Sequence, residues 1–214
     1  AGSALLRDEL LVRNILSRVT EAVPVPVTLK IRLGWSKDEI NATEIGLIAK
    51  DAGVVSLTVH GRTRACRFAG EVDYEAIASI KRNVDLPIVA NGDISSPQKA
   101  KKVIEITNRD AVMIGRAALG KPWLPSQIDY FLKTGHLTEH ISGSDLTEFL
   151  ISHLNALYTY YGVERGLLIA RKHVGWAIAD LPMSALIKKE FNQASSAEEQ
   201  IRLISCLKIE KLVA

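Results

Sequence analysis

Polar and charged residues lie at the ends of four short apolar runs in this sequence. Lys30, with Arg32 just beyond it, ends the first run, His60 the second and Asn91 the third, and Arg116 follows the fourth. A lysine inside an apolar run is costly to bury unless an anion or a carboxylate meets it. Any one of these residues could instead pair with a carboxylate in the core. Four of them at matched positions favour a site for an anionic ligand such as a phosphate.

The third and fourth runs define this site most sharply. Residues 88–90 and 111–114 are short apolar runs between turn residues, a pattern that predicts strands buried on both faces. The motifs that end them are Asn91-Gly92-Asp93 and Gly115-Arg116. Ser96 and Pro97 predict the start of a helix between the two strands. Glycines at strand ends let the backbone approach a ligand closely, so we predict that phosphate binds here.

The spacing of the four runs indicates the fold. Their ends fall at intervals of 30, 31 and 24 residues, each close to one β/α unit. No GxGxxG motif follows any of these strands, which argues against a dinucleotide-binding doubly wound sheet. A (β/α)8 TIM barrel needs about 200–250 residues, whereas the β/α pattern stops near residue 123. We therefore predict an α/β fold with four parallel strands, which is half of a TIM barrel; the resemblance described below implies that it is the C-terminal half.

An amphipathic helix is predicted near the start of the chain, at residues 3–23. Beyond residue 123, helical spacing of the apolar residues replaces the strand pattern. The predicted later helices are residues 125–134, 145–161 with Ser144 as the cap, 164–179, 184–193 and 197–212. The sequence thus predicts two domains, a partial TIM barrel over residues 1–123 and an all-α helical bundle over residues 124–214.

The composition is ordinary for a globular protein, with 47% hydrophobic and 24% charged residues and a net charge of +3. A mild positive charge is compatible with an anionic partner without identifying one. Cys66 and Cys206 are too few for a disulfide framework and lack zinc-ligand spacing, so we expect no metal and a reducing cytoplasm. No apolar run reaches the roughly 18 residues of a membrane span, so we expect no membrane partner.

Five motifs, in this order and spacing, resemble the tRNA-dihydrouridine synthases, in particular the bacterial DusB-type subgroup. They are Leu29-Lys30-Ile31-Arg32, Val59-His60-Gly61-Arg62-Thr63-Arg64, Ala90-Asn91-Gly92-Asp93-Ile94, Met113-Ile114-Gly115-Arg116-Ala117 and Ala170-Arg171-Lys172-His173-Val174-Gly175-Trp176. Each motif alone would be weak, because similar short motifs occur in many flavin barrels. Their combination covers nearly the whole chain and makes the resemblance specific.

The resemblance implies an FMN enzyme that reduces uridine to 5,6-dihydrouridine in tRNA, with NADPH as the reductant of the flavin. The implied cofactor-binding residues are Lys30 and His60 at the flavin ring, and Asn91, Gly92, Asp93, Gly115 and Arg116 at the phosphate. The implied tRNA-binding residues are Arg62, Arg64, Arg171, Lys172 and His173. Consecutive residues of a helix point in different directions, so we expect at least one of the last three to be structural.

The proton donor of that family is a cysteine in an Asn-x-Gly-Cys-Pro motif, which this sequence does not contain. Residues 1–6 resemble the segment that follows this motif, so we expect no catalytic residue here and place the cysteine upstream of Ala1. Activity would then require the missing N-terminal half. Cys66 is interpreted as a small loop residue and Cys206 as a packed helix residue. Four strands cut from a barrel expose edges and a face, so we expect the isolated chain to dimerise or aggregate.

Two other functions stay open from the sequence alone. The missing cysteine motif favours a module that binds phosphate or RNA without catalysis. A different FMN TIM-barrel oxidoreductase could act on a small pyrimidine. The helical region with Arg171, Lys172 and His173 argues against that function, since a small substrate needs no such extension.

Overall fold

The computed structural model describes residues 2–108, 111–139, 141–182 and 184–207. The chain divides into two compact units: Ala1–Ala117 with Leu132–Thr134, and Ala118–Phe131 with Gly135–Ala214. Strands and helices alternate in the first unit, whereas the second is helical.

The first unit is built on a four-stranded parallel sheet in the order β1-β2-β3-β4. Its elements in chain order are a short 3-10 helix (Gly2–Arg7), α1 (Glu9–Ala22), β1 (Thr28–Arg32), α2 (Ala42–Asp51), β2 (Ser56–His60), α3 (Tyr74–Asn83), β3 (Ile88–Asn91), α4 (Pro97–Thr107) and β4 (Ala111–Met113). The predicted α/β architecture with four parallel strands is therefore confirmed. Asp110, which opens the fourth predicted motif, lies outside the described residues.

Side-chain caps determine where the helices of this unit begin. The Asp8 carboxylate accepts a hydrogen bond from the Leu11 amide, so α1 starts at Glu9 and is separate from the 3-10 helix. The prediction of one continuous helix over residues 3–23 was wrong at this point. Asp73 caps α3 and Ser96 caps α4 in the same way. Each cap is typically worth about 1 kcal/mol.

The sheet has one covered face and one polar face. Ile31, Leu57 and Ile88 are buried on the covered face, where helices α2 to α4 contact the strands. Residues two apart along a strand share a face, so Lys30 and Arg32 both lie on the other one. The last residues of the four strands are aligned in the sheet: from β1 to β4 they are Arg32, His60, Asn91 and Met113. Arg32 therefore stands at the end of β1, two residues beyond Lys30.

The helices that follow β4 are α5 (Leu124–Thr134), α6 (Gly143–Tyr161), α7 (Val163–Ala177), α8 (Ser184–Gln193) and α9 (Ala197–Ser205). Ser142 caps α6 in a capping box with Asp145, so the predicted cap at Ser144 was wrong. The prediction of a last helix over residues 197–212 was wrong at its end, because α9 ends at Ser205 with Cys206 as its C-cap. Residues 208–212 lie outside the described part.

The core of the second unit lies between α6, α7 and α9. Leu150 and Leu154 of α6 are buried with Val174 of α7 and Ile204 of α9. Cys206 is exposed, so its predicted packing was wrong. Across the described ranges, no helix combines the length and apolar character needed to cross a membrane.

Candidate functional site

A groove of about 600 Å³ lies over the carboxyl ends of the strands, a volume in the usual range of ligand pockets. All seven predicted cofactor-binding residues line it: Lys30, His60, Asn91, Gly92, Asp93, Gly115 and Arg116. Arg32, Phe68, Ile94, Ser95, Met113 and Ala117 complete its lining. The parallel register brings these residues together, because carboxyl ends of neighbouring strands meet at one edge of a sheet.

The His60 imidazole is neutral near neutral pH. Its side chain is buried beside Arg32 and Lys30. Burial, followed by the charges of these two cations, lowers the pKa of His60 to about 4. Among the described residues its Nε2 atom has no hydrogen-bond partner. A buried polar atom of this kind at a groove wall is suited to a hydrogen bond with a ligand.

The anionic Asp93 carboxylate lies between two guanidinium groups. Arg62 donates a hydrogen bond to Oδ2, and Arg116 donates one to Oδ1 over 2.8 Å. The hydrogen bond from Arg62, together with the charges of both arginines, lowers the pKa of Asp93. Asp93 is the only carboxylate among the described residues that line the groove, whereas Lys30, Arg32 and Arg116 are cationic. The groove is therefore positively charged overall.

The turn after β3 has a backbone conformation that few residues adopt. Gly92 has a φ of 134° and Asp93 a φ of 46°. A Cβ atom on residue 92 would lie 2.8 Å from Val72 and 3.1 Å from the His60 ring, so only glycine fits here. A Cβ atom on Gly115 would meet no described atom within 4 Å, and this strand end is open towards the groove.

Residues 61–70, here called the arginine loop, fold back over β1 and β3. Arg32 donates to the carbonyl oxygens of Thr63 and Arg67, both over 2.8 Å. Arg62 donates to the carbonyl oxygen of Gly70 and is only 3% exposed. The predicted contact of Arg62 with RNA therefore does not fit its position, because its guanidinium is not accessible.

Phe68 of the arginine loop is a groove residue that the sequence analysis missed. Its side chain is 59% exposed, and its ring centroid lies 5.6 Å from the Arg32 guanidinium and 4.4 Å from that of Arg116. Guanidinium groups at such distances from an aromatic ring attract it. The only sequence signal was a single aromatic residue in a loop rich in arginine and glycine.

Arg64 of the same loop is exposed, unlike Arg62. Its guanidinium lies 4.7 Å from the centroid of the Trp35 ring, and Arg7 lies 5.5 Å from the same ring. The Arg64 guanidinium thus lies against the Trp35 ring while its charge remains accessible.

The predicted RNA-binding residues of α7 differ in their surroundings. Lys172 is exposed, whereas Arg171 is partly buried and its Nε has no partner among the described residues. His173 forms a hydrogen bond of 2.9 Å between its Nδ1 and Nε2 of His153 on α6, and its ring lies 5.4 Å from that of Trp176. Burial, His153 and Lys172 lower the pKa of His173. His173 therefore has a packing role between α6 and α7.

Comparison with known proteins decides the family. The family model described as dihydrouridine synthase (Dus) matches residues 1–213. The chain belongs to the dihydrouridine synthase family. Proteins named tRNA-dihydrouridine synthase B are similar to it: that of Pseudomonas aeruginosa is 51% identical over 203 residues, covering 94% of this chain and 60% of the relative. That of Proteus vulgaris is 46% identical over 204 residues, covering 95% and 63%.

The chain spans about 60% of the length of these dihydrouridine synthases. A solved structure of a mandelate oxidase variant is 16% identical, with a TM-score of 0.37 and coverage of 89% of this chain and 64% of the oxidase. Among the described residues there is no group of three or more metal-ligating side chains.

Proposed function

We propose that this chain provides FMN-binding and tRNA-binding parts of an enzyme that reduces uridine to 5,6-dihydrouridine in tRNA with NADPH. One observation carries the proposal: the seven residues that the family resemblance assigns to FMN line a single groove. Family membership and relatives named tRNA-dihydrouridine synthase B support tRNA as the substrate. We place the activity in the cytoplasm, where the substrate would be met.

The groove fits a phosphate-bearing flavin. Arg116 lies at the open strand end beside Gly115, where a cation and exposed backbone amides would hold the phosphate. Lys30 and the unpartnered Nε2 of His60 would meet the ring. The bound flavin supplies hydride transfer. Lys30 would place a positive charge beside the ring, and His60 would act as a neutral hydrogen-bonding group.

The proposed tRNA contacts fall on exposed cations. Arg64, supported by Trp35, and Lys172 on α7 are accessible to backbone phosphates, which usually provide most of the affinity for a nucleic acid. Arg171 and His173 are partly buried, so we assign them a smaller share of the contact. Arg62 is removed from the set because of its burial.

A second candidate is a module that binds phosphate or RNA without catalysis, favoured by the absence of the family's cysteine motif from the sequence. Cys66 contacts the Thr63 hydroxyl over 3.1 Å within the arginine loop and does not line the groove. We propose that turnover needs residues outside this chain and that the sheet is the C-terminal half of a TIM barrel completed by them.

Mass spectrometry of digested tRNA tests both candidates, since dihydrouridine formation adds two hydrogens to uridine. An unmodified tRNA transcript is incubated with FMN, NADPH and either this chain or a chimera. The chimera joins this chain to the part of the Pseudomonas aeruginosa relative that it does not match. We expect the chimera to form dihydrouridine and this chain by itself to form none. The chimera with Arg116→Ala should also form none.

The other outcomes separate the candidates. A chimera that binds tRNA but forms no dihydrouridine supports the binding module. Turnover by the 214-residue chain alone overturns the proposal that outside residues are needed.

A further inference from the structure

Asp93 is out of place in a groove proposed for a phosphate. Its carboxylate faces the same space as Lys30, Arg32 and Arg116, where its charge would repel an anion. Two explanations are possible. The carboxylate either accepts hydrogen bonds from hydroxyl groups of the ligand or acts on the neighbouring arginines.

The contacts of Asp93 favour an action on the arginines. Each carboxylate oxygen accepts a hydrogen bond from a different guanidinium, Oδ2 from Arg62 and Oδ1 from Arg116. Charge-assisted hydrogen bonds of this type are strong and directional. The backbone at Asp93 is left-handed, with a φ of 46°, and its carboxylate lies between the two guanidinium groups.

Arg62 is suited to be the fixed end of this arrangement. It is 3% exposed, does not line the groove, and also donates to the Gly70 carbonyl oxygen. Its Nε and Nη1 atoms are buried without a partner among the described residues. A guanidinium buried in this way requires a carboxylate partner, and Asp93 is its ion-pair partner.

Arg116 is the end that faces the ligand. Its side chain is 55% exposed, and an arginine with this freedom loses entropy when it binds an anion. Asp93 holds it through one hydrogen bond, and the Phe68 ring lies 4.4 Å from its guanidinium carbon. Asp93 and Phe68 therefore contact the Arg116 guanidinium on two sides before a ligand binds.

We propose that Arg62 and Asp93 form a brace that positions Arg116 for the phosphate of FMN, and that Asp93 does not itself contact the cofactor. Arg62 and Asp93 are thus positioning residues. The proposal rests on the proposed FMN-binding function and assigns Arg62 to the cofactor site instead of to RNA.

Asp93→Asn tests the brace, because asparagine keeps the shape and tolerates the left-handed backbone. The measurement is the Kd of FMN and of riboflavin for the 214-residue chain, by flavin fluorescence titration. The two ligands share the ring and the ribityl chain and differ only in the phosphate. We expect FMN affinity to fall about tenfold, while riboflavin affinity stays within about twofold.

The alternatives give different results. If Asp93 only repels the phosphate, FMN affinity rises in Asp93→Asn. If Asp93 binds the ribityl hydroxyls, the affinities for both flavins fall together. Either result overturns the brace. Failure of both the unsubstituted chain and the chimera to bind either flavin overturns the proposed function, and the brace with it.

Two further variants complete the experiment. Arg62→Lys keeps the charge but loses the planar fork of donors, so we expect the same selective loss of FMN affinity. Asp85→Asn is the matched control, since Asp85 is 95% exposed in its pair with Lys50 and does not line the groove. Thermal unfolding of each variant verifies the fold. Unchanged FMN affinity in folded Arg62→Lys and Asp93→Asn overturns the brace.

Discussion

At the scale of single residues, the groove offers a ligand two kinds of interaction: positive charge from its cations and a hydrogen bond from a neutral histidine. The cations Lys30, Arg32 and Arg116 supply a positive field, while His60 is kept neutral by burial and by two of these charges. A neutral imidazole can either donate or accept at Nε2, depending on its tautomer. A protonated ring could only donate. The environment thus selects the chemistry that His60 offers to a ligand.

We predict that the pKa of His60 lies far below that of an ordinary histidine. The proton NMR signals of the imidazole rings, followed against pH, report the pKa of each of the five histidines, and His60→Asn identifies the signal of His60. We expect a pKa of about 4. An ordinary value near 6.5 for the His60 signal would contradict the described burial.

The same shift predicts how stability depends on pH. The unfolded chain binds this proton with a pKa of about 6.5, whereas the folded chain binds it only near pH 4. The unfolded state is therefore favoured as pH falls from about 6.5 towards 4. Urea unfolding should show that wild type loses stability relative to His60→Asn over this interval, by a total of order 3 kcal/mol. A pH-independent difference between the two proteins would refute this.

At the scale of elements, local signals in the sequence predicted most of the structure. Ser96 and Pro97 marked the start of α4, and α8 begins and ends where predicted. The cap of α6 was misplaced, although Ser142 with Asp145 three residues later is a capping-box pattern that the sequence does contain.

The segment before α5 packs against α7 through a glycine, which gives a prediction for the second unit. Gly120 has a φ of 76°, and a Cβ atom there would lie 2.5 Å from backbone atoms of Trp176 and Ala177. Gly120→Ala should lower the free energy of unfolding by about 3 kcal/mol or more, because the backbone cannot move aside. Circular dichroism during thermal unfolding measures this loss.

Gly135→Ala is the matched control for that variant. Gly135 has a φ of 74°, but a Cβ atom there would meet no atom of the described residues within 4 Å. Gly135→Ala should therefore lower the free energy of unfolding by only about 1–2 kcal/mol, the cost of a left-handed backbone at a residue with a Cβ atom. Equal melting temperatures for the two variants would contradict the close packing of Gly120.

At the scale of the whole molecule, both units contribute to the proposed function. The first holds the groove and the exposed Arg64, and the second holds the exposed Lys172. All seven residues that the family resemblance assigns to the cofactor line the groove, because they stand at strand ends set by a regular repeat. The sequence could not predict the burial of Arg62 or the place of Phe68, because both depend on how the arginine loop folds back onto β1 and β3.

Exposed apolar residues of the first unit predict self-association of the chain. Leu10 on α1 is 69% exposed, and Leu11, Ile15 and Val19 are also exposed, a grouping typical of interaction surfaces. Light scattering at several concentrations should show dimers or larger species. Leu10→Lys should weaken this association, whereas Leu168→Lys, on an exposed leucine of α7, should not. A monodisperse wild-type monomer at every concentration would contradict this prediction.

The central claim is that the groove at the strand ends binds FMN through its phosphate. The most direct measurement is the visible absorbance spectrum of the purified chain after incubation with FMN and desalting. The account predicts that wild type and Lys172→Ala retain the flavin band, and that Arg116→Ala loses it. A colourless wild-type protein, or equal flavin in wild type and Arg116→Ala, would contradict it.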